Sequence, residues 1–304
     1  VCTFVRHTIS LALRGEFDFL DGVVLLQNCD HVRRAGDLFV KKVKLPFYSM
    51  LSVPRAPKER LFSWYLDELK RLKAEMEAHF GLAITEEKLE EAITLHNATR
   101  ERIRSLYDLR KKEAPPINGE ESLTITTAAH LMPRDQFNTL MDDLLADLTH
   151  TEGTKGYRAR VIITGSELDN PEYIAGIEQQ GALSVAEVVC FGQRSFGELI
   201  ESGVDDPLER IARHKFFQVP CARMVECFDD QVAVLKETVR EFNADGIIFQ
   251  RMKFCDPWAG DGHSLYWRMK EEGIPFLGLE REYQVPASGQ VKTRVQAFLE
   301  QMGK

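Results

Sequence analysis

The sequence predicts an α/β protein whose sheet is parallel and doubly wound. Three observations point there. Short apolar runs of β type alternate with amphipathic helical stretches from residue 161 to the end of the chain. Two such runs, one in each half, end in a Cys-Asp pair: Cys29-Asp30 after Val23-Val24-Leu25-Leu26, and Cys255-Asp256 after the run that opens Gly246-Ile247-Ile248-Phe249. At 304 residues the chain is long enough for two domains, each with its own core.

The elements follow in order. Residues 3–14 read as a helix, with Val5, Ile9 and Leu13 at helical spacing. Asp21-Gly22 is a turn and residues 23–27 a buried strand. Asp30 stands at a helix N-cap position before an amphipathic helix over 31–42. Residues 47–53 form a second strand, closed by Pro54 and Pro57. Residues 58–112 are charged, periodic and almost free of strand signals. Phe62, Tyr65, Leu66, Leu69 and Leu72 keep helical spacing, and Thr85 with Glu87 and Lys88 opens a second helix after Gly81. The expectation is a helical cap apart from both sheets, with its apolar stripe toward the first domain and its charges in solvent. Two more helices, divided near Pro133, complete an insertion over about 57–150. Residues 153–157 read as a linker. The expected domains are therefore 1–152, an α/β domain carrying the insertion, and 153–304, a second α/β domain. In the latter, strands are expected over 161–165, 185–190, 246–252 and 276–279, and helices over 171–180, 230–243, 265–272 and 290–302.

Composition narrows the function. The chain is 44% hydrophobic and 28% charged, as ordinary globular proteins are. No apolar run approaches the roughly 18 residues of a membrane-spanning helix. A net charge of -8 argues against nucleic acid as the main partner, because phosphate binding needs a basic surface. Six cysteines without a secretory signal fit a reducing cytoplasm better than a disulfide framework. The start at Val1, directly before Cys2, reads as a chain lacking an N-terminal segment, so the first domain is expected to be N-terminally truncated.

The motifs exclude several chemistries. No GxxxxGK[ST] loop occurs, and Gly260-Asp261-Gly262 is an incomplete dinucleotide fingerprint, better read as a loop. Zinc lacks its usual CxxC or HExxH pairing. Ser166 follows a strand but lacks the GxSxG elbow, and with Glu167 it reads as a turn and helix cap or as a ligand contact. What remains is a metal cluster held by scattered single thiolates at the carboxyl ends of strands, the edge where open α/β folds bind ligands. Small buried hydrophobes are the competing reading of the cysteines, strongest for Cys190. His31, Arg33 and Arg34 follow Cys29 on one helical turn. They are a salt-bridged helix start or a neutralising group for an anionic cluster or ligand.

The chain resembles the 2-hydroxyacyl-CoA dehydratase and benzoyl-CoA reductase subunit family, of the 2-hydroxyglutaryl-CoA dehydratase D-component type. The resemblance rests on Cys2-Thr3-Phe4-Val5-Arg6, Phe17-Asp18-Phe19-Leu20-Asp21-Gly22 and Asn28-Cys29-Asp30-His31-Val32-Arg33-Arg34. It continues through Lys253-Phe254-Cys255-Asp256-Pro257 to Gly289-Gln290-Val291-Lys292-Thr293-Arg294. It implies two flavodoxin/Rossmann-like doubly wound domains with a helical insertion and a cluster in their cleft. It implies that Cys2, Cys29 and Cys255 ligate a 4Fe-4S cluster with one iron left open for Lewis-acid or redox chemistry. It implies an anaerobic acyl-CoA enzyme, a reductase or a dehydratase, that receives low-potential electrons from an ATP-dependent activator. A paralogous second subunit or a homodimer is the implied assembly. Arg33, Arg34, Ser166 and the helix after Gly289 are the candidates for holding the acyl-CoA.

Two further readings stay open within the resemblance. A double-cubane cluster that reduces small molecules would need a second set of thiolates, for which Cys190, Cys221 and Cys227 are the candidates. A non-catalytic electron-relay subunit would hold a cluster but no substrate. Outside the resemblance stands a cluster-free α/β binding protein.

Overall fold

The computed structural model describes residues 1–203, 205–218, 221–283, 285 and 287–304. Its elements in chain order are α1 (Thr3–Leu13), β1 (Gly22–Leu26), α2 (Asp30–Leu38), β2 (Phe47–Leu51), α3 (Glu59–Phe80), α4 (Glu86–Arg110), α5 (Gly119–Leu131), α6 (Arg134–Leu148), β3 (Ala159–Gly165), α7 (Pro171–Glu178), β4 (Ala182–Val188), α8 (Pro207–Phe216), α9 (Phe228–Glu241), β5 (Gly246–Met252), α10 (Asp256–Glu271), β6 (Phe276–Arg281) and α11 (Gly289–Gln301). All strand pairs are parallel. The protein is therefore α/β with parallel sheets and many helices.

The chain divides into two compact units, Val1–Thr94 with Ile200–Phe228, and Leu95–Leu199 with Asp229–Lys304. These are not the segments 1–152 and 153–304 expected from sequence. Residues 95–152 join the second unit because α5 lies against α7 and β4, and α8 joins the first because it packs on α3.

In the first unit β1 and β2 form a two-stranded sheet. Residues 58–112 are helical, as α3 and α4, but α3 is not apart from the sheet. Its apolar stripe, Phe62, Tyr65 and Leu66, packs on Leu51 of β2 and on Ala212 and Phe216 of α8. Its charged side binds the outer edge of β2. Arg71 Nη2 donates to the Met50 carbonyl at 2.8 Å, Glu68 Oε2 accepts from the Ser52 amide at 3.0 Å, and Ser49 Oγ donates to Glu75 Oε2 at 2.7 Å. Charged groups thus occupy the hydrogen-bonding positions of an exposed strand edge.

In the second unit four strands lie in the order β4-β3-β5-β6. Every residue of β3 and β4 is buried, as a parallel sheet covered on both faces requires. One core joins Val161 and Ile163 of β3, Tyr173, Ile174 and Ile177 of α7, and Val291, Val295 and Phe298 of α11. Beneath α4, the Arg110 guanidinium meets both Glu187 oxygens of β4, at 2.6 and 2.7 Å, with each side chain fully buried. Tyr107, Ser122 and Ser184 donate to the same carboxylate.

Two local expectations are corrected. Gly260-Asp261-Gly262 is not a loop but part of α10, which begins at Asp256 rather than 265. Gly262 lies where α10 crosses the sheet, and a Cβ there would come within 2.5 Å of the Phe249 ring. Also, α8 stands in a segment for which the sequence predicts no helix; Asp206 caps it and Pro207 opens it.

Candidate functional site

The first unit places two of the predicted ligands together. Cys2 is the N-cap of α1 and Cys29 the N-cap of α2, and the two helices pack against each other. The N-cap of α2 is thus Cys29, one residue before the Asp30 expected from sequence. β1 runs into Cys29 through Gln27-Asn28, so the thiol stands just past a strand's carboxyl end. The Cys2 amide donates to Nδ1 of His31 in the first turn of α2, at 3.2 Å. Burial pushes the Cys2 thiol up from its ordinary range. The backbone amides of Val5 and Phe4 pull it down, and the charge of Cys29 pushes it up. Beside Cys29, two buried polar atoms have no hydrogen-bond partner, Asn28 Oδ1 and Arg33 Nε. Such atoms are rare in a closed core and common where a ligand belongs.

Arg33 Nη2 pairs with Asp30 at 2.9 Å and Arg34 Nη1 with Asp37 at 3.3 Å, all four groups being well exposed. Both arginines keep donors beyond these pairs.

The second unit places Cys255 at the N-cap of α10, directly after β5. β3 is flanked by β4 on one side and β5 on the other, so the order of connection reverses at β3. The carboxyl ends of β3 and β5 therefore form the crevice where doubly wound sheets bind ligands. The approach to Cys255 is strained: Phe254, 60% exposed, has φ 65, a left-handed conformation costly for a bulky residue. On the β3 side Gly165 has φ 122, and a Cβ there would meet the Gln250 carbonyl oxygen at 1.9 Å.

Ser166 follows Gly165 and is buried. Its hydroxyl accepts from the Met252 amide at 3.1 Å and its amide donates to the Gln250 carbonyl at 3.0 Å. It ties β3 to β5 and is not a helix cap; Asn170 caps α7 instead.

Sequence reasoning missed the polar cluster gathered at this same sheet edge. Burial pushes the Glu167 carboxyl, after β3, above its ordinary range, while Arg194, the Cys190 thiol and Arg281 pull it down. Arg194 donates through Nη2 to the Val188 carbonyl at 2.9 Å and through Nη1 toward Cys190 Sγ at 3.6 Å. Arg281 Nε donates to Gln250 Oε1 at 2.7 Å. These residues are far apart in sequence, so spacing alone carries no signal.

The remaining cysteines are divided: Cys190 lies in the second unit, Cys221 and Cys227 in the first. Among the described residues no group of three or more His, Cys, Asp and Glu side chains is disposed to hold a metal ion. Nor is any helix among them long and apolar enough to cross a membrane.

An α/β protein with thiols at strand-to-helix junctions is the class that the fold and the cysteines define. The pattern of the family described as 2-hydroxyglutaryl-CoA dehydratase, D-component, matches residues 1–302, and the chain belongs to that family. It is 27% identical to the (R)-phenyllactyl-CoA dehydratase beta subunit of Clostridium sporogenes, over 99% of this chain and 80% of that one. It is 26% identical to a benzoyl-CoA reductase subunit of Thauera aromatica, over 92% and 74%. It is 23% identical to the beta subunit of (R)-2-hydroxyglutaryl-CoA dehydratase from Acidaminococcus fermentans, over 99% and 81%. These relatives are subunits of dehydratases and of a reductase.

Proposed function

We propose that the chain is the iron–sulfur subunit of an anaerobic acyl-CoA enzyme, benzoyl-CoA reductase-like or 2-hydroxyacyl-CoA dehydratase-like, with Cys2, Cys29 and Cys255 as ligands of one 4Fe-4S cluster. Family membership across residues 1–302 carries the proposal. The donor set supports it in kind. Thiolates are the soft ligands that iron–sulfur clusters take. All three cysteines stand at helix N-caps, where backbone N–H groups and the helix dipole favour negative charge. The unpartnered Asn28 Oδ1 and Arg33 Nε give the surroundings of Cys29 polar capacity that the protein itself does not use.

When bound, the cluster would supply a low-potential electron and an open iron. This chain's own residues do the holding. The first turns of α1 and α2 orient the thiols of Cys2 and Cys29, and the His31 imidazole fixes the backbone at Cys2. Ser166 and Gln250 lock the ends of β3 and β5 and so fix the turn that carries Cys255. Arg33 and Arg34 offer guanidinium donors to the phosphates of an acyl-CoA. Partners fit the same reading: a paralogous second subunit or a second copy, and an ATP-dependent activator, since the chain has no nucleotide loop of its own.

The test is a titration of anaerobically isolated protein with benzoyl-CoA and with 2-hydroxyacyl-CoA thioesters, followed by the cluster's visible absorption. A saturable change with either thioester, weakened in Arg33→Ala and Arg34→Ala, is the expected result. A protein that holds iron but gives no response to any thioester would be an electron relay instead.

A further inference from the structure

Cys255 is the N-cap of α10. The residue before it, Phe254, sits in the left-handed region. A first turn entered through a strained residue persists where surrounding contacts grip it. The grip is visible in the next residues. Trp258, in that first turn, is 6% exposed and packs its ring on Phe249 of β5 at 5.9 Å. On it lies the guanidinium of Arg194, 5.1 Å from the ring centroid.

Arg194 is itself 8% exposed, an uncommon place for a cation. It is held to the end of β4 by the Val188 carbonyl and the Cys190 sulfur. The charge of Glu167, at the end of β3, lies close enough to feel it. One side chain thus ties β4 to the first turn of α10, across the crevice edge at which β3 and β5 end.

We propose that Arg194 is a positioning residue: it clamps Trp258, and with it the Cys255 thiol, to the sheet edge. This rests on the reading of Cys255 as a cluster ligand for its use, though not for its geometry. A flat cation spread over an indole face can fork to a carbonyl and a sulfur as well; a lysine ammonium cannot do all three.

The experiment uses the full chain, freed of iron under anaerobic conditions, and measures alkylation of each cysteine by iodoacetamide through mass spectrometry of its peptide. In Arg194→Met and Trp258→Leu the Cys255 rate should rise roughly fivefold or more, as loss of one partly desolvated cation–π contact gives for a local opening. The Cys29 rate, in the other unit, should stay unchanged. Trp258→Phe keeps an aromatic face and should fall between the parent and Trp258→Leu. In reconstituted protein, Arg194→Met should release iron to a chelator faster than the parent. If the Cys255 rate is unchanged in both Arg194→Met and Trp258→Leu, or if Cys29 and Cys255 accelerate together, the clamp is overturned. If Cys255→Ser keeps its full iron, it is the ligand reading that fails, and the alkylation result still decides the clamp.

Discussion

At the scale of single residues, the three proposed cluster ligands share one backbone setting. Each is itself extended and begins a helix, so each thiol stands at the positive end of a first helical turn. Around Cys255 the setting carries strain. Phe254 adopts φ 65 while leaving its side chain 60% exposed. Replacing it by glycine should remove a left-handed penalty at little loss of burial. The increase in the glycine chain's unfolded freedom offsets part of that gain, so Phe254→Gly should raise stability by about 0.5–1 kcal/mol. Urea unfolding reads this directly, and a loss of stability would mean that the phenyl ring holds the turn. Two residue-scale expectations of the sequence, the helix cap at Asp30 and the cap at Ser166, gave way for the same reason. Both lie where a strand ends, and which side chain faces the freed amides depends on neighbouring strands that a local pattern does not contain.

At the scale of elements, α10 is the sharpest lesson. Two glycines within three residues read as a loop because glycine weakens helices. In the fold they have opposite reasons to be there. Gly262 is buried against Phe249, and Gly260 faces open space. Gly262→Ala should therefore cost about 1–3 kcal/mol from overpacking. Gly260→Ala should instead gain about 0.5–1 kcal/mol. Thermal unfolding of the pair tests whether this stretch is helix, since equal effects would contradict the assignment.

The start of α5 supplies a pH signature. Glu178, at the end of α7, accepts from the amides of Gly119, Glu120 and Ser184. Burial nevertheless pushes its carboxyl up to about 7. The folded form holds the proton more tightly than the unfolded one. That contribution is complete below about pH 4 and is lost as pH rises to about 7, at roughly 1.4 kcal/mol per unit. Stability should thus fall by about 2–3 kcal/mol across that window from this group, and Glu178→Gln should flatten the slope. A slope unchanged in the variant would assign it to another group.

The strands and most helices were legible because, from β3 to α11, short continuous apolar runs alternate with stretches of helical period. The helix α8 was not, because its pattern is short and lies in a segment rich in turn residues. The partition into units was not legible either. It depends on α8 returning to α3 through contacts such as Phe62 with Phe216, at 6.0 Å between ring centroids, which no local signal announces.

At the scale of the whole molecule, the chain carries its family's pattern from residue 1 to 302 while its compact units are interleaved in sequence. The proposed ligands follow that interleaving, Cys2 and Cys29 in the first unit and Cys255 in the second. Two of these thiols, Cys29 and Cys255, were legible as strand ends followed by aspartate, and Cys2 as the residue that opens a helix. The supporting cluster of Glu167, Cys190, Arg194 and Arg281 was not, because its members come from the ends of β3, β4 and β6 and meet only in the folded sheet.

The central claim is that three of the six cysteines, and not the others, hold one cluster. The most direct measurement is iron and acid-labile sulfide per chain in anaerobically purified protein and in six single Cys→Ser variants. About four irons and four sulfides per chain are expected in the parent, falling sharply in Cys2→Ser, Cys29→Ser and Cys255→Ser with the helical content retained, and unchanged in Cys190→Ser, Cys221→Ser and Cys227→Ser. A parent without iron, or an equal loss on removing Cys190, Cys221 or Cys227, would contradict it.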